Sequence, residues 1–245
     1  MIIEIETIVS GIFSCIFIVI SLGVGIRITL TYRKQKERMY LLVGIAWILM
    51  TESWWPSAIS FLIAISTDGV GLYELPQIYF IIGNVLMPLN QSLWLIAITD
   101  LFYKEKQKII LIIYNVIAIP CDIILVVFSI INPASIGNLD SQVDVDYEPL
   151  VMLWIVINLV IWILPGLLFA RASLKSDNPE HKLKGKMLIL AFILFGIGGV
   201  LDSAQLIQVA TYVVTTRIIL IVSAICYLGG FVLPEWMKKI LVRNK

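Results

Sequence analysis

The chain has 245 residues, of which 60% are hydrophobic and 14% charged, with a net charge of +1. Soluble domains carry nearer a quarter charged residues, so a soluble globular class is excluded, and the absence of alternating apolar and polar residues argues against a β-barrel. The net charge argues neither for nor against a nucleic-acid partner, and none is expected.

A helix of about 20 apolar residues spans the hydrocarbon core of a bilayer. Seven blocks of that kind are predicted near 6–31, 39–65, 76–101, 109–131, 149–170, 187–209 and 213–235. The expected class is therefore all-α: a polytopic membrane protein of seven transmembrane helices, forming a single domain over 1–245 in the cell membrane.

The first segment opens on Glu4 and Glu6 and has no basic n-region or small-x-small cleavage site. It reads as a retained helix rather than a signal peptide. The second carries Glu52 near its middle, in "TESWWPS". Pro56 has no N–H to bond the carbonyl of Glu52, so a kink is expected there. The third contributes Asn84, Asn90 and Gln91 around Pro88 and ends at Asp100, an interface residue near Lys104. The fourth has Asp122 two residues after Pro120, and the fifth has Asn158 and Pro165. In the sixth, Gly198, Asp202 and Gln205 are spaced i, i+4, i+7 and share one helix face, with Gln208 near it. The seventh carries Arg217 in its first turns.

Cys15, Cys121 and Cys226 all fall within apolar blocks and read as small apolar residues. Their spacing gives neither a disulfide framework nor a zinc site.

The connecting segments alternate in sign. Seventeen of the 18 Lys and Arg residues lie on one side: Arg27 to Arg38, Lys104 to Lys108, Arg171 to Lys186, and the tail after Lys238. The other side holds Glu4, Glu6, Asp68, Glu74, Asp140, Asp144, Asp146 and Glu148. The positive-inside rule puts the C-terminus in the cytoplasm and the N-terminus outside.

The remaining basic residue is Arg217. A very short connection makes the sixth and seventh helices antiparallel neighbours, and at roughly 1.5 Å rise per residue Asp202 and Arg217 fall at similar depth. An Asp202–Arg217 pair in the outer leaflet is expected. The alternative is that Arg217 snorkels to the headgroups and Asp202 is protonated or wet. Such a pair can also serve only to hold two helices together. If the second, fourth, sixth and seventh helices converge, an outward-opening pocket is lined by Glu52, Asp122, Asp202, Gln205 and Arg217, with Trp54, Trp55 and Tyr212 as aromatic walls. Charged residues in membrane helices usually face such an interior.

The single histidine, His181, lies in the basic loop "KSDNPEHKLKGK". No metal site or cofactor is expected, which excludes multi-histidine zinc hydrolases, bis-histidine haem proteins and Ser-His intramembrane proteases. No nucleophile–base constellation is evident, so the chain is not expected to be an enzyme. Helix count and orientation resemble rhodopsins and G-protein-coupled receptors only in topology. The seventh segment has no lysine before Lys238 for a retinal Schiff base, and the third ends "TDLFYKEK". Through its helix count, topology, tryptophan-bearing second helix and short basic inner loops, the chain resembles the seven-helix membrane sensor regions of prokaryotic histidine kinases. It departs from them in ending about ten residues after the seventh segment, without an output domain. The resemblance implies a receptor-like or sensor-like module that binds a small ligand or lipid in its outer half. A cytoplasmic signalling protein would engage its basic inner loops. The alternatives are a small proton-coupled carrier using Glu52, Asp122 and Asp202, or a structural subunit of a membrane complex.

Overall fold

The computed structural model describes residues 3–204 and 210–241. Among these, seven helices are long and apolar enough to cross a membrane. The first span is α1 (Ile5–Gln35). The second is divided into α2 (Arg38–Met50) and α3 (Trp55–Ser66), the third into α4 (Pro76–Asn84) and α5 (Met87–Phe102). The fourth to seventh are α6 (Gln107–Ile131), α7 (Pro149–Leu174), α8 (Pro179–Ala204) and α9 (Ala210–Phe231). A short α10 (Glu235–Leu241) follows, after Leu233 adopts φ 45° and Pro234 stops α9 from continuing.

Proline placement explains the two divided spans. Pro56 leaves the Glu52 carbonyl without its usual donor. The chain tightens instead into a 3₁₀ turn at Thr51–Trp54, where the Trp55 N–H donates to the Glu52 carbonyl. Pro88 acts likewise on the Asn84 carbonyl, and the helix restarts at Met87. Pro120 and Pro165 sit inside α6 and α7 without dividing them.

The spans pack as a ring. α1 contacts α2 and α9, α9 contacts α8, α8 contacts α7, α7 contacts α5, and α5 contacts α2. α6 lies outside this ring against α4 and α5, and most of its apolar side chains are exposed, among them Ile112, Ile113, Val116, Ile123 and Ile124. The fourth span is therefore peripheral, and the expected convergence of the second, fourth, sixth and seventh spans is corrected to the second, third, fifth, sixth and seventh.

The ring closes over an aromatic core. Trp47 stacks on Tyr227 with centroids 4.1 Å apart, and Trp94 stacks on Trp162 at 4.5 Å. Phe192 and Phe195 fill the space between them and α8. Gly166 faces the Phe192 ring so closely that a Cβ there would overlap it, which is how α7 and α8 come together.

One element was not anticipated. Between α6 and α7 the chain forms a hairpin of β1 (Gly137–Leu139) and β2 (Val145–Tyr147), paired antiparallel with Asn138 opposite Asp146. The period-two run "VDVDY" is its signal in the sequence. The hairpin docks on the span ends through Ile136, Leu139, Val145 and Tyr147, which pack with Leu72, Tyr79, Phe80 and Leu125. The opposite end of the bundle carries the basic loops. There Asp100 pairs with Lys104 and Arg38, and Lys238 of α10 reaches Glu180 of α8 at 3.1 Å.

Candidate functional site

A cavity of about 100 Å³ lies between the spans at the hairpin end. Its walls come from the second, third, fifth, sixth and seventh spans, and the hairpin residues Val143, Asp144, Val145 and Tyr147 roof it.

One wall is an ion pair. Arg217 Nη1 lies 2.5 Å from Asp202 Oδ1, and the indole N–H of Trp54 donates to Asp202 Oδ2 at 2.6 Å. Both carboxylate oxygens are thus engaged. Arg217 is 2% exposed, and its Nε has no hydrogen-bond acceptor among the described residues. Trp54 occupies this place because the 3₁₀ turn rotates it inward, where its ring packs edge-on against Phe17 and Phe195.

The facing wall is built on Glu52, which is 3% exposed. Its Oε1 accepts the backbone N–H of Leu86 at 2.7 Å. Leu86 lies in the interruption between α4 and α5, so a side chain from one divided span satisfies the backbone of the other. Beside it, Gln91 donates to the Asn158 carbonyl at 2.7 Å, and Asn158 in turn accepts from the Tyr114 hydroxyl at 2.9 Å.

The roof is pinned by hydroxyl and amide groups. The Tyr79 hydroxyl donates to the Val143 carbonyl at 2.9 Å and lies 2.9 Å from Ser57 Oγ. Gln142 Nε2 donates to the Gly69 carbonyl at 2.8 Å. Gly69 has φ 86°, a conformation that glycine adopts at little cost. Burial pushes the Tyr147 hydroxyl up to about 12, with Asn84 opposing the shift. Burial also raises the Asp144 carboxyl, and the nearby Arg217 opposes it.

Of the residues expected to share a pocket, Glu52, Asp202, Arg217 and Trp54 line this cavity. Asp122 does not, because α6 is outside the ring; its Oδ1 has no hydrogen-bond partner among the described residues. Trp55 faces away and donates to Thr51 Oγ1 at 3.2 Å. Tyr212 instead donates to the Leu201 carbonyl at 2.5 Å, joining the ends of α8 and α9. Gln205 lies outside the described residues, as does Gln208. The site residues that sequence reasoning missed are Asp144, Tyr79, Tyr147 and the Leu86 backbone. Among the described residues, no group of three or more His, Cys, Asp or Glu side chains is placed to hold a metal ion.

Comparison with protein-family models, with curated proteins and with solved structures gives no match.

Proposed function

We propose that the chain is a multi-pass protein of the cell membrane that acts as a receptor-like or sensor-like module for a small polar ligand, with its N-terminus outside and its C-terminus in the cytoplasm. The clustering of Lys and Arg at the end opposite the hairpin supports this orientation. The hairpin then roofs the cavity from outside.

The observation that carries the reading is the Trp54–Asp202–Arg217 constellation on the wall of a roofed cavity. Charged side chains within membrane spans are costly and mark ligand or ion sites by default. The cavity is lined by the charged and amide side chains of Glu52, Asn90, Gln91, Asp144, Asp202 and Arg217. That suits a compact polar group better than an acyl chain, so the small-ligand form of the expectation is favoured over the lipid form. A ligand that disturbs the Asp202–Arg217 pair shifts α8 against α9. α8 continues to the basic end, where Glu180 meets Lys238. The partner there is a cytoplasmic signalling protein on the basic loops.

One observation favours a carrier as the second reading. Two divided spans meet at Glu52 and Leu86, and interrupted helices near the bilayer midplane build many carrier sites.

The test is the thermal stability of purified protein against a metabolite panel, repeated with Asp202→Asn. A compound that stabilises the native protein by mass action and not the variant supports the binding reading. A panel without a hit, with the variant merely less stable, makes the ion pair a structural strut. pH-dependent uptake into proteoliposomes that Glu52→Gln abolishes would move the assignment to the carrier.

A further inference from the structure

The charges around the cavity do not balance. Three carboxylates line it, on Glu52, Asp144 and Asp202, against the single guanidinium of Arg217. Arg217 is committed to Asp202 at 2.5 Å. Glu52 uses Oε1 for the Leu86 N–H, and no cationic side chain pairs with it among the described residues.

Two neutral side chains that line the cavity with Glu52 carry acceptors unpaired among the described residues. Gln91 has no exposed surface, and its donation to the Asn158 carbonyl fixes the amide orientation. Its Oε1 is left without a donor. Asn90, 3% exposed, turns Nδ2 to the sulfur of Met50 at 3.2 Å, and its Oδ1 is also left without a donor. Both residues line the cavity with Glu52. Buried acceptors in native structures nearly always find a donor. A carboxylate and two unpaired amide oxygens among the residues lining one cavity suit a positively charged donor. The indole of Trp54 and the phenol of Tyr147 are also on the lining, and aromatic faces attract cations.

We propose that the cavity binds a compact monovalent cation, an alkali ion or the ammonium group of a small amine, with Glu52 as counter-ion and the amide oxygens of Asn90 and Gln91 as further ligands. A divalent ion is the poorer fit, since calcium sites recruit 6–8 oxygens with several carboxylates among them. This inference names the ligand class for the site proposed above and rests on that reading.

The test compares melting temperatures of the purified full chain in sodium, potassium, ammonium and methylammonium chloride with that in tetraethylammonium chloride, all at equal ionic strength. The bulk of tetraethylammonium excludes it from the cavity. At least one compact cation is expected to raise the melting temperature saturably, by about 4 °C at ten times its Kd. The alkali and ammonium arms distinguish the two sources of the charge. Glu52→Gln and Gln91→Met are each expected to weaken the response at least tenfold in concentration, and Asp100→Asn, at the opposite end of the bundle, to leave it unchanged. If Glu52→Gln does not fold, Gln91→Met alone decides. Equal melting temperatures in every salt overturn the inference, as does a cation response that survives in the folded variants. If cations do nothing but a neutral or anionic metabolite stabilises the native protein and not Asp202→Asn, the cation inference falls and the binding reading stands.

Discussion

Asp202 and Asp122 present the same problem in the sequence and meet opposite fates in the fold. Each is a single carboxylate inside a long apolar block. Asp202 receives a guanidinium and an indole N–H within 2.6 Å. Asp122 sits on the one span outside the ring, with an oxygen that has no partner among the described residues. A membrane carboxylate signals a cost, and the neighbours decide whether that cost is offset. The α8–α9 pairing and the 3₁₀ turn of the second span supply such neighbours. α6, packed on one side only, does not.

That contrast is sharpest in stability. Arg217→Gln leaves Asp202 without its counter-charge, and breaking a buried pair typically costs about 3 kcal/mol or more. The loss is expected in unfolding of the detergent-solubilised protein. With Asp202→Asn added, the second substitution should cost far less than it does alone, and additive losses would show that the two groups are not coupled.

Removing a roof contact is expected to do less. Tyr79→Phe deletes the hydroxyl that holds Val143 and meets Ser57, worth about 1 kcal/mol for a neutral hydrogen bond. Hydrogen exchange should quicken in residues 137–147 while the aromatic core stays protected. Uniform quickening would mean that the roof and core open together.

The pH dependence of the roof is a smaller effect. Asp144 has a carboxyl raised by burial, with Arg217 opposing and Asp202 and Asp140 adding to the rise. A raised carboxyl binds its proton more tightly in the folded state, so its contribution is full below the unfolded value near 3.9. It is lost as pH climbs through the folded value. Asp144→Asn should flatten this acidic limb of the stability profile, and an unchanged limb would assign it to other acids, with Asp140 first among them.

The smallest effect is expected at the other aspartate. Asp122→Asn replaces a carboxylate whose buried Oδ1 has no hydrogen-bond partner among the described residues, so it should leave stability unchanged or slightly raised, because burying an unpaired charge is costly. A large loss would mean that α6 hides a contact that the ring does not provide.

Much of this was legible in the sequence for identifiable reasons. A very short connection forces antiparallel neighbours, so Asp202 and Arg217 could be set at one depth by counting residues. Pro56 and Pro88 announce where a helix loses a hydrogen bond. The ring order was not legible, because any apolar face can meet any other. A clue does exist: the second and third spans are the least apolar and line the cavity, whereas α6 is the most apolar and lies outside. The Leu86 contact was invisible because its donor is backbone, which no residue type advertises. Asp144 was read as one more acid of the outer loops, and only the alternation of "VDVDY" hints that it belongs to a folded hairpin.

The Tyr79 hydroxyl has a further consequence. It touches the hairpin at Val143 and α3 at Ser57, and Ser57 follows Pro56, the residue that interrupts the second span. Latch and hinge therefore share one pin. Any displacement of the hairpin from Tyr79 disturbs a hydroxyl that also contacts the second span one residue after its proline.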